Sequence, residues 1–391
     1  MIGSRVTRGT AVAATAVLLA LAMSACGPVG GKEPGQAAGV PQGPGSSAPS
    51  MPLAAKVVPA AGAYLGVYAP DAPFNILPLS EYDSKAGRKA GIVMWYQPWV
   101  VGNRYLFDEG ACAEIWREGK VPMITWEPWD PGQHAHLLTH PAVQPTFTLA
   151  AIDAGKFDGY IRSWAHAIRD IGGPVMLRPM HEMNGNWYPW AGTANGNKPA
   201  EFVVAWRRIH DIFRDAGATN VTWVWSINTE SVPAEPSNSY AAYYPGASYV
   251  DWTAISGFNW GRTRPNSTWR SFTSIYSAPL AYLKSIGKPI CIAEFGSVEQ
   301  GGDKAAWLTD AYKRIQAVPQ VKAVIYYDAF DQQTAGAQDW RIDTSAASLA
   351  AFKRAIAPGY YLSGAPVALA HWQSKLTSAG TAFLNTVPNR Y

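Results

Sequence analysis

Eight short apolar runs recur along the 391-residue chain, and segments of helical periodicity separate most of them. Several runs are almost continuously apolar, which is typical of parallel strands that are covered on both faces. Because strands that alternate with helices indicate βα units, the pattern predicts an α/β fold, a (β/α)8 TIM barrel that forms a single catalytic domain. The predicted strands cover residues 64–68, 91–97, 121–126, 174–178, 221–226, 252–257, 289–293 and 321–327.

Helical segments between these runs agree with a barrel. They are predicted over residues 108–118, 158–171, 199–216, 271–286, 304–318 and 345–356, and the segments after the first and fifth runs have a weaker helical pattern. A doubly wound open sheet is the alternative. Since no Gly-rich phosphate loop follows the first run, a nucleotide-binding version of that sheet is disfavoured.

The two ends of the chain differ in composition from the barrel. Arg5 and Arg8 precede an apolar stretch, so we expect a signal peptide over residues 1–25. Small residues before Cys26 resemble a bacterial lipobox, and a lipid on Cys26 would anchor a cell-surface lipoprotein outside the cytoplasm. An ordinary secretory leader cut near Ala25 is the alternative. We expect a Gly-, Pro- and Ser-rich flexible linker over 26–60, the barrel over 61–357 and a C-terminal extension packed on it over 358–391.

Charge and cysteine content narrow the possible partners. The formal charge of +4 falls by two, to +2, without the leader arginines, and no basic cluster or motif for binding nucleic acid is present. We expect no cofactor and a monomer. Cys112 and Cys291 lie on predicted elements far apart in the fold, so both should be reduced. The spacing of His134, His136 and His140 fits no strong metal-ligand motif, so we predict no metal site.

Polar and aromatic residues follow the predicted strands, at the end where TIM barrels carry their active sites. The fourth strand leads into Arg178, His181 and Glu182, and the seventh ends at Glu294. Two carboxyl groups across a barrel mouth suit glycoside hydrolysis, which needs a proton donor and a nucleophile or supporting carboxylate. Arg178 shares strand parity with Glu182, points into the barrel, and is expected to pair with Glu294 and keep it ionised.

These residues also form a recognisable pattern. The sequence Arg-Pro-Met-His-Glu-Met-Asn-Gly-Asn-Trp at 178–187, followed by Ile-Ala-Glu-Phe-Gly at 292–296, resembles glycoside hydrolase family 26 of clan A, over roughly residues 64–357. The resemblance implies an endo-acting enzyme on a β-1,4-linked polysaccharide substrate, chiefly β-mannan, with β-1,3-1,4-glucanases as an alternative. It also implies that Glu182 is the proton donor and Glu294 the nucleophile of a retaining double displacement, with carboxyl groups about 5–5.5 Å apart.

The resemblance assigns further residues to substrate binding. His181 would orient the donor or the substrate, and Trp187 would help form a sugar platform. Glu127 is a third acid at the mouth, which either binds a sugar hydroxyl or pairs with an arginine. We expect about half of the tryptophans at the mouth to pack in walls or loops. The remaining candidates for substrate contact are Arg178, Asn259, Trp126, Trp129, Trp190 and Trp260.

One position departs from the family pattern. The family usually has Asp-x-Tyr at the end of the sixth strand, with the tyrosine hydroxyl on the nucleophile, whereas this chain has Ser256-Gly257-Phe258. Either Tyr327 or Asn259 replaces that hydroxyl, or turnover is weakened by the loss of one hydrogen bond to a charged group. The departure keeps a non-catalytic carbohydrate-binding envelope protein open as an alternative.

Overall fold

A closed barrel of eight parallel strands forms the centre of the computed structural model, which describes residues 57–100, 107–132, 143–333, 336–357 and 359–364. Each strand pairs with the next, and β8 pairs with β1, with Tyr64 opposite Ala323 and Tyr68 opposite Tyr327. This closure confirms the (β/α)8 prediction and excludes the open sheet. The strands are Ala63–Tyr68 (β1), Ile92–Pro98 (β2), Val121–Glu127 (β3), Val175–Pro179 (β4), Val221–Asn228 (β5), Trp252–Asn259 (β6), Ile290–Ser297 (β7) and Val321–Tyr327 (β8).

Helices surround the barrel, and the six predicted ones are confirmed to within two residues at each end. Their ends follow local chemistry: the Asp108 carboxylate accepts a hydrogen bond from the Ala111 N–H at 2.9 Å, and the fourth helix stops at Gly172, which has φ 73°. The helices are Leu77–Ala86 (α1), Glu109–Arg117 (α2), Leu149–Asp153 (α3), Asp158–Ile171 (α4), Pro199–Asp215 (α5), Phe272–Ile286 (α6), Lys304–Gln316 (α7) and Ala346–Ile356 (α8).

The two weakly helical segments have different outcomes. The segment after β1 contains α1, whereas three short 3-10 helices, Pro236–Asn238, Tyr240–Tyr243 and Ala247–Tyr249, connect β5 to β6. Prolines in that connection remove N–H donors and clash with the preceding turn, which prevents a continuous α-helix.

Additional strands follow the eighth barrel strand. Phe330–Gln333 (β9) and Gly336–Asp339 (β10) form an antiparallel hairpin after β8. Tyr361–Leu362 (β11) pairs with β1, with Tyr361 opposite Ala63, so the sheet extends beyond residue 357, where the domain was expected to end. The rest of the predicted C-terminal extension, the signal peptide, Cys26 and most of the linker lie outside the described residues.

The barrel strands are buried on both faces. Every residue of β3, β4 and β7 is buried. Cys112 on α2 and Cys291 on β7 are buried free thiols, as expected from their separation. Within the described ranges, no helix has the length and apolar character needed to cross a membrane.

Candidate active site

The chain turns sharply after β4 and brings Glu182 to the barrel mouth. Met180 and Glu182 have φ values of 49° and 54°, a left-handed backbone region that non-glycine residues seldom adopt. The Met180 N–H donates to the Trp126 carbonyl at 3.0 Å, and the Glu182 N–H donates to the Ser226 carbonyl at 2.9 Å. The turn is therefore tied to β3 and β5, which holds this unusual backbone in place.

Arg178 and Glu294 form a buried ion pair inside the barrel. The Arg178 guanidinium donates to Glu294 Oε1 at 2.6 Å, to Ser256 Oγ at 2.7 Å and to Thr125 Oγ1 at 3.0 Å. Arg178 is 0% exposed and Glu294 6% exposed. The contact expected from strand parity is present, and charge-assisted bonds of this kind are stronger than those between neutral groups.

Ser256 lies against both strand-end acids. Its hydroxyl donates to Glu294 Oε1 at 3.2 Å, and it lies near enough to Glu182 to lower the pKa of that carboxyl slightly. The charge of Glu294 also acts on Glu182, so the two carboxyl groups lie near each other at the barrel mouth. Burial, together with the charge of Glu294, raises the pKa of Glu182 to about 7.

Trp187 is the second group that holds the Glu182 carboxyl. Its indole N–H donates to Glu182 Oε2 at 2.8 Å, while the ring remains partly exposed at the mouth. The side chain thus orients the acid and offers an aromatic face to the cleft. Such a face is suited to stacking on a pyranose ring.

His181 is fully buried beneath the two acids. Its Nε2 lies 3.2 Å from the Tyr188 hydroxyl and 3.9 Å from Glu294 Oε1, and its carbonyl accepts a hydrogen bond from the Trp190 indole at 2.7 Å. Burial, and to a lesser extent the charge of Arg178, holds the pKa of His181 well below its usual range. The imidazole is therefore neutral at physiological pH and supports the site from below.

Glu127 joins this cluster, although the sequence left its role open. It is 3% exposed, accepts a hydrogen bond from the Trp129 indole at 3.0 Å, and has Oε1 3.8 Å from His181 Nδ1. Burial is the main reason that the pKa of Glu127 rises to about 8. Its position at the end of a buried strand is the sequence signal that could have placed it in the site.

Three of the expected substrate contacts are wrong, because the side chains are fully buried away from the cleft. Trp126 packs outside the barrel on Trp164, with ring centroids 4.7 Å apart, since its parity on β3 is opposite to that of Glu127. Trp190 stacks beneath Tyr188 at 4.3 Å. Asn259 instead ties the loop after β6, because its amide donates to Ser297 Oγ at 2.9 Å.

Trp129, Trp187 and Trp260 are partly exposed at the mouth. One face of Trp260 is covered by the Arg264 guanidinium, which lies 3.0 Å from a ring centroid. Trp340 packs edge-on at 4.8 Å. Trp129 and Trp187 are therefore better placed than Trp260 to offer a free aromatic face.

The structure shows which side chain replaces the tyrosine hydroxyl that is missing at Phe258, at the end of the sixth strand. Phe258 packs on Tyr327 and Trp340, with ring centroids 5.4 Å and 4.7 Å away. The Tyr327 hydroxyl donates to Asp331 Oδ1 at 3.3 Å, and the Asn259 amide donates to Ser297 Oγ. Neither of these two expected replacements therefore donates to Glu294. Ser256, from the same triplet as Phe258, supplies the hydroxyl.

The described residues contain no group of three or more His, Cys, Asp or Glu side chains suited to a metal ion. His134, His136 and His140 lie outside the described residues. The carboxyl groups of Glu127, Glu182 and Glu294 are suited to acid, base and nucleophilic chemistry.

Comparison with known proteins identifies the family. The sequence profile of glycosyl hydrolase family 26 matches residues 139–334, half of the chain. The chain belongs to glycosyl hydrolase family 26. Endoglucanase H of Acetivibrio thermocellus is 37% identical over 300 residues, covering 76% of this chain and 30% of that protein. A mannan endo-1,4-beta-mannosidase of Bacillus subtilis is 23% identical over 206 residues, covering 49% of this chain and 52% of that enzyme. This family 26 chain thus spans about a third to a half of the length of these relatives.

Solved structures resemble the family 26 barrel at low sequence identity. A Bacteroides ovatus β-mannanase of this family is 17% identical, with a TM-score of 0.55 over 85% of this chain and 95% of that one. An endo-β-1,4-mannanase of Cellulomonas fimi is 17% identical, with a TM-score of 0.56 over 77% of this chain and 72% of that one. These similarities support the fold.

Proposed function

We propose that this chain is a retaining, endo-acting glycoside hydrolase that cleaves a β-1,4-linked polysaccharide, with β-mannan as the first candidate. The observation that carries the proposal is the pair Glu182 and Glu294, two acids buried at the mouth, where the charge of Glu294 helps to raise the pKa of Glu182. In retaining glycosidases the two carboxyl groups are about 5–5.5 Å apart, and one of them attacks the anomeric carbon directly.

In the first step, a Glu294 oxygen attacks the anomeric carbon while the bond to the leaving oxygen breaks. Glu182 gives its proton to that oxygen, so the leaving sugar departs as an alcohol and a glycosyl ester forms on Glu294. The pKa of about 7 suits Glu182 to this role, because the acid is still largely protonated below neutral pH.

In the second step, Glu182 acts as a base. It takes a proton from water as the water oxygen attacks the anomeric carbon, and the ester bond to Glu294 breaks. Arg178 and Ser256 donate to Glu294 Oε1 and stabilise the carboxylate that leaves. The configuration at the anomeric carbon is retained after two inversions.

A β-glucan containing β-1,4 bonds, such as mixed-linkage β-1,3-1,4-glucan, is the second candidate substrate. Endoglucanase H has higher identity to this chain, over more of it, than the mannan endo-1,4-beta-mannosidase of Bacillus subtilis. However, the match covers only 30% of endoglucanase H, so most of the protein that carries this name lies outside the aligned region. For this reason β-mannan, expected from the family's main activity, remains the first candidate.

Hydrolysis of a polysaccharide panel tests the proposal. The full chain is incubated with β-mannan, mixed-linkage β-glucan and xylan, beside Glu182→Gln, Glu294→Gln and the exposed control Glu81→Gln on α1. We expect oligosaccharides from one backbone, loss of release in both cleft variants, and normal release by the control. Unchanged release by either cleft variant would overturn the assignment. Binding of oligosaccharides without hydrolysis would indicate a carbohydrate-binding protein instead.

We also propose that lipid on Cys26 holds the enzyme at the outer face of the membrane. The support is the leader-like sequence before Cys26. Metabolic labelling with radioactive palmitate should mark the native chain and not Cys26→Ser. Equal labelling of both chains would contradict this proposal.

A further inference from the structure

Glu127 and His181 present two buried groups whose polar atoms face each other. The Glu127 Oε1 lies 3.8 Å from His181 Nδ1, and that ring nitrogen has no hydrogen-bond partner within the described part of the chain. A buried polar atom without a partner is uncommon in a folded protein. The separation is somewhat too long for a hydrogen bond, but such contacts often tighten when substrate binds.

We infer that Glu127 is a positioning residue that, in its neutral form, donates a hydrogen bond to His181 Nδ1 and so places the ring proton on Nε2, which lies 3.2 Å from the Tyr188 hydroxyl and 3.9 Å from Glu294 Oε1. The inference rests on the proposed function above. It assigns Glu127 an indirect role, because the residue acts on the nucleophile through the imidazole.

The charges around Glu127 favour its neutral form. Glu182 and Glu294 face it from the ends of β4 and β7, and Arg178 is the cation that faces it from β4. Arg178 already donates to Glu294 at 2.6 Å. A second carboxylate buried in this cluster would repel the first, and the pKa of Glu127 accordingly rises to about 8, chiefly through burial.

The groups around His181 favour a neutral ring. Tyr188 and Trp190 pack on it from the loop after β4, and Tyr96 packs on it from β2, with a ring separation of 5.7 Å. Arg178 faces it as well and lowers its pKa, after the larger effect of burial. A neutral imidazole carries a single N–H, so a donor at Nδ1 requires the proton to be on Nε2.

The opposite arrangement would place the ring proton on Nδ1. If Glu127 were ionised, it would accept a bond from Nδ1–H, and Nε2 would accept from the Tyr188 hydroxyl at 3.2 Å while its lone pair faced Glu294 Oε1 at 3.9 Å. With the proton on Nε2, the Tyr188 hydroxyl accepts from His181, and the same N–H faces Glu294 next to Arg178 and Ser256. That donor favours departure of the Glu294 carboxylate from the glycosyl ester, so its loss should lower kcat more than it changes KM.

Nitrogen NMR of the full chain with 15N-labelled histidine reads the tautomer directly. Comparison with His181→Gln assigns the His181 signals. We expect the Nε2–H tautomer in the native chain and in Glu127→Gln, because a glutamine amide also donates to Nδ1. An Nδ1–H tautomer in the native chain would overturn the inference. This measurement needs no turnover, so it stands apart from the test of hydrolysis.

Kinetics supply the second test. Glu127→Ala should lower kcat about tenfold, which corresponds to about 1.4 kcal/mol of activation free energy, with a smaller change in KM. Glu127→Gln should rescue most of this loss, since its amide oxygen accepts from Trp129 while its NH2 donates to His181. Glu81→Gln, the same substitution at an exposed position on α1, is the control. A Gln variant as impaired as the Ala variant would overturn the inference.

Discussion

Three acids and one guanidinium determine the chemistry of this cleft at the scale of single residues. Arg178 donates to Glu294, whereas burial raises the pKa of Glu182 to about 7 and that of Glu127 to about 8. The same residue type thus has different partners within one site, and the environment of each side chain differs accordingly. This difference suits the proposed roles of Glu182 as proton donor and Glu294 as nucleophile.

Replacing Trp187 by Phe tests the protonation of Glu182. The Trp187 N–H donates to Glu182 Oε2 at 2.8 Å and lowers the pKa of that carboxyl, so its removal should raise the pKa further. In the native chain, kcat/KM should fall as pH rises through about 7, the pKa of Glu182. In Trp187→Phe this limb of the pH profile should move to higher pH, while Trp269→Phe, at a residue that does not contribute to the pKa of Glu182, leaves it in place. A shift to lower pH would contradict the assignment.

Removing the Arg178 guanidinium should be costly to the fold. Arg178→Met leaves the carboxylate of Glu294 buried without its cation, and breaking a buried pair typically costs about 3–5 kcal/mol. The free energy of unfolding from urea titration measures this loss. Arg214→Met, at a surface pair with 58% side-chain exposure, should change stability by less than about 1 kcal/mol. Similar losses in the two variants would argue against a buried charge pair.

The loop after β4 is the element that positions Glu182, the proposed proton donor. Asn184 ties it to the loop after β5: its Oδ1 accepts from the Asn228 N–H at 2.8 Å, and its amide donates to the Asn228 carbonyl at 3.1 Å and the Glu230 carbonyl at 3.2 Å. These bonds couple the backbone near Glu182 to the neighbouring strand end. The position of the acid therefore depends on contacts between loops as well as on β4.

Asn184→Ala should loosen that connection. Unpaired buried backbone groups typically cost about 1–3 kcal/mol, so we expect a lower melting temperature and a lower kcat/KM, with the circular dichroism spectrum of the barrel retained. Asn186→Ala, on an exposed residue of the same loop, is the control for stability. If both variants melt with the native chain, the loop is not held by Asn184.

Sequence periodicity predicted the regular elements better than the connections between them. The strands are buried on both faces, so they appear in the sequence as apolar runs. The parity of Arg178 on β4 also correctly predicted its ion pair with Glu294. Trp126, one residue before Glu127 on β3, points the other way, and parity alone could have excluded it. The burial of Trp190 depends on how an irregular loop folds over Tyr188, and local sequence does not encode that contact.

The stability of the whole molecule should depend on pH through its buried acids. Glu127 and Glu182 keep protons in the folded state up to about pH 8 and pH 7, whereas the unfolded chain releases them near the ordinary pKa of glutamate. The folded state then binds more protons, so stability should fall as pH rises from 6.5 to 8, by on the order of 2 kcal/mol. His181, with a lowered pKa, affects stability below this window.

Urea unfolding at pH 6.5 and pH 8 measures this dependence. Glu127→Gln removes one of the two titrating acids, so the variant should lose less stability than the native chain over the same interval. Glu81→Gln should lose as much as the native chain. Equal pH dependence in all three proteins would contradict the assignment of a proton to Glu127.

At the largest scale, barrel closure joins residues that are 112 positions apart in the chain. Sequence could place Glu182 and Glu294 at two strand ends, but the contact of Ser256 with Glu294 depends on the register between β6 and β7. The same register explains why Ser256, rather than Tyr327 or Asn259, provides the hydroxyl that Phe258 lacks. Pairwise geometry of this kind is set by packing of the whole barrel.

The most direct test of the central claim is to trap the glycosyl-enzyme. The chain is incubated with a 2-deoxy-2-fluoro glycoside of the sugar it hydrolyses, which slows the second step, and digested for peptide mass spectrometry. We predict one added glycosyl group, carried on the peptide that contains Glu294 and located on that residue. A label on Glu182, or complete hydrolysis with inverted anomeric configuration and no label, would contradict the retaining mechanism proposed for this pair.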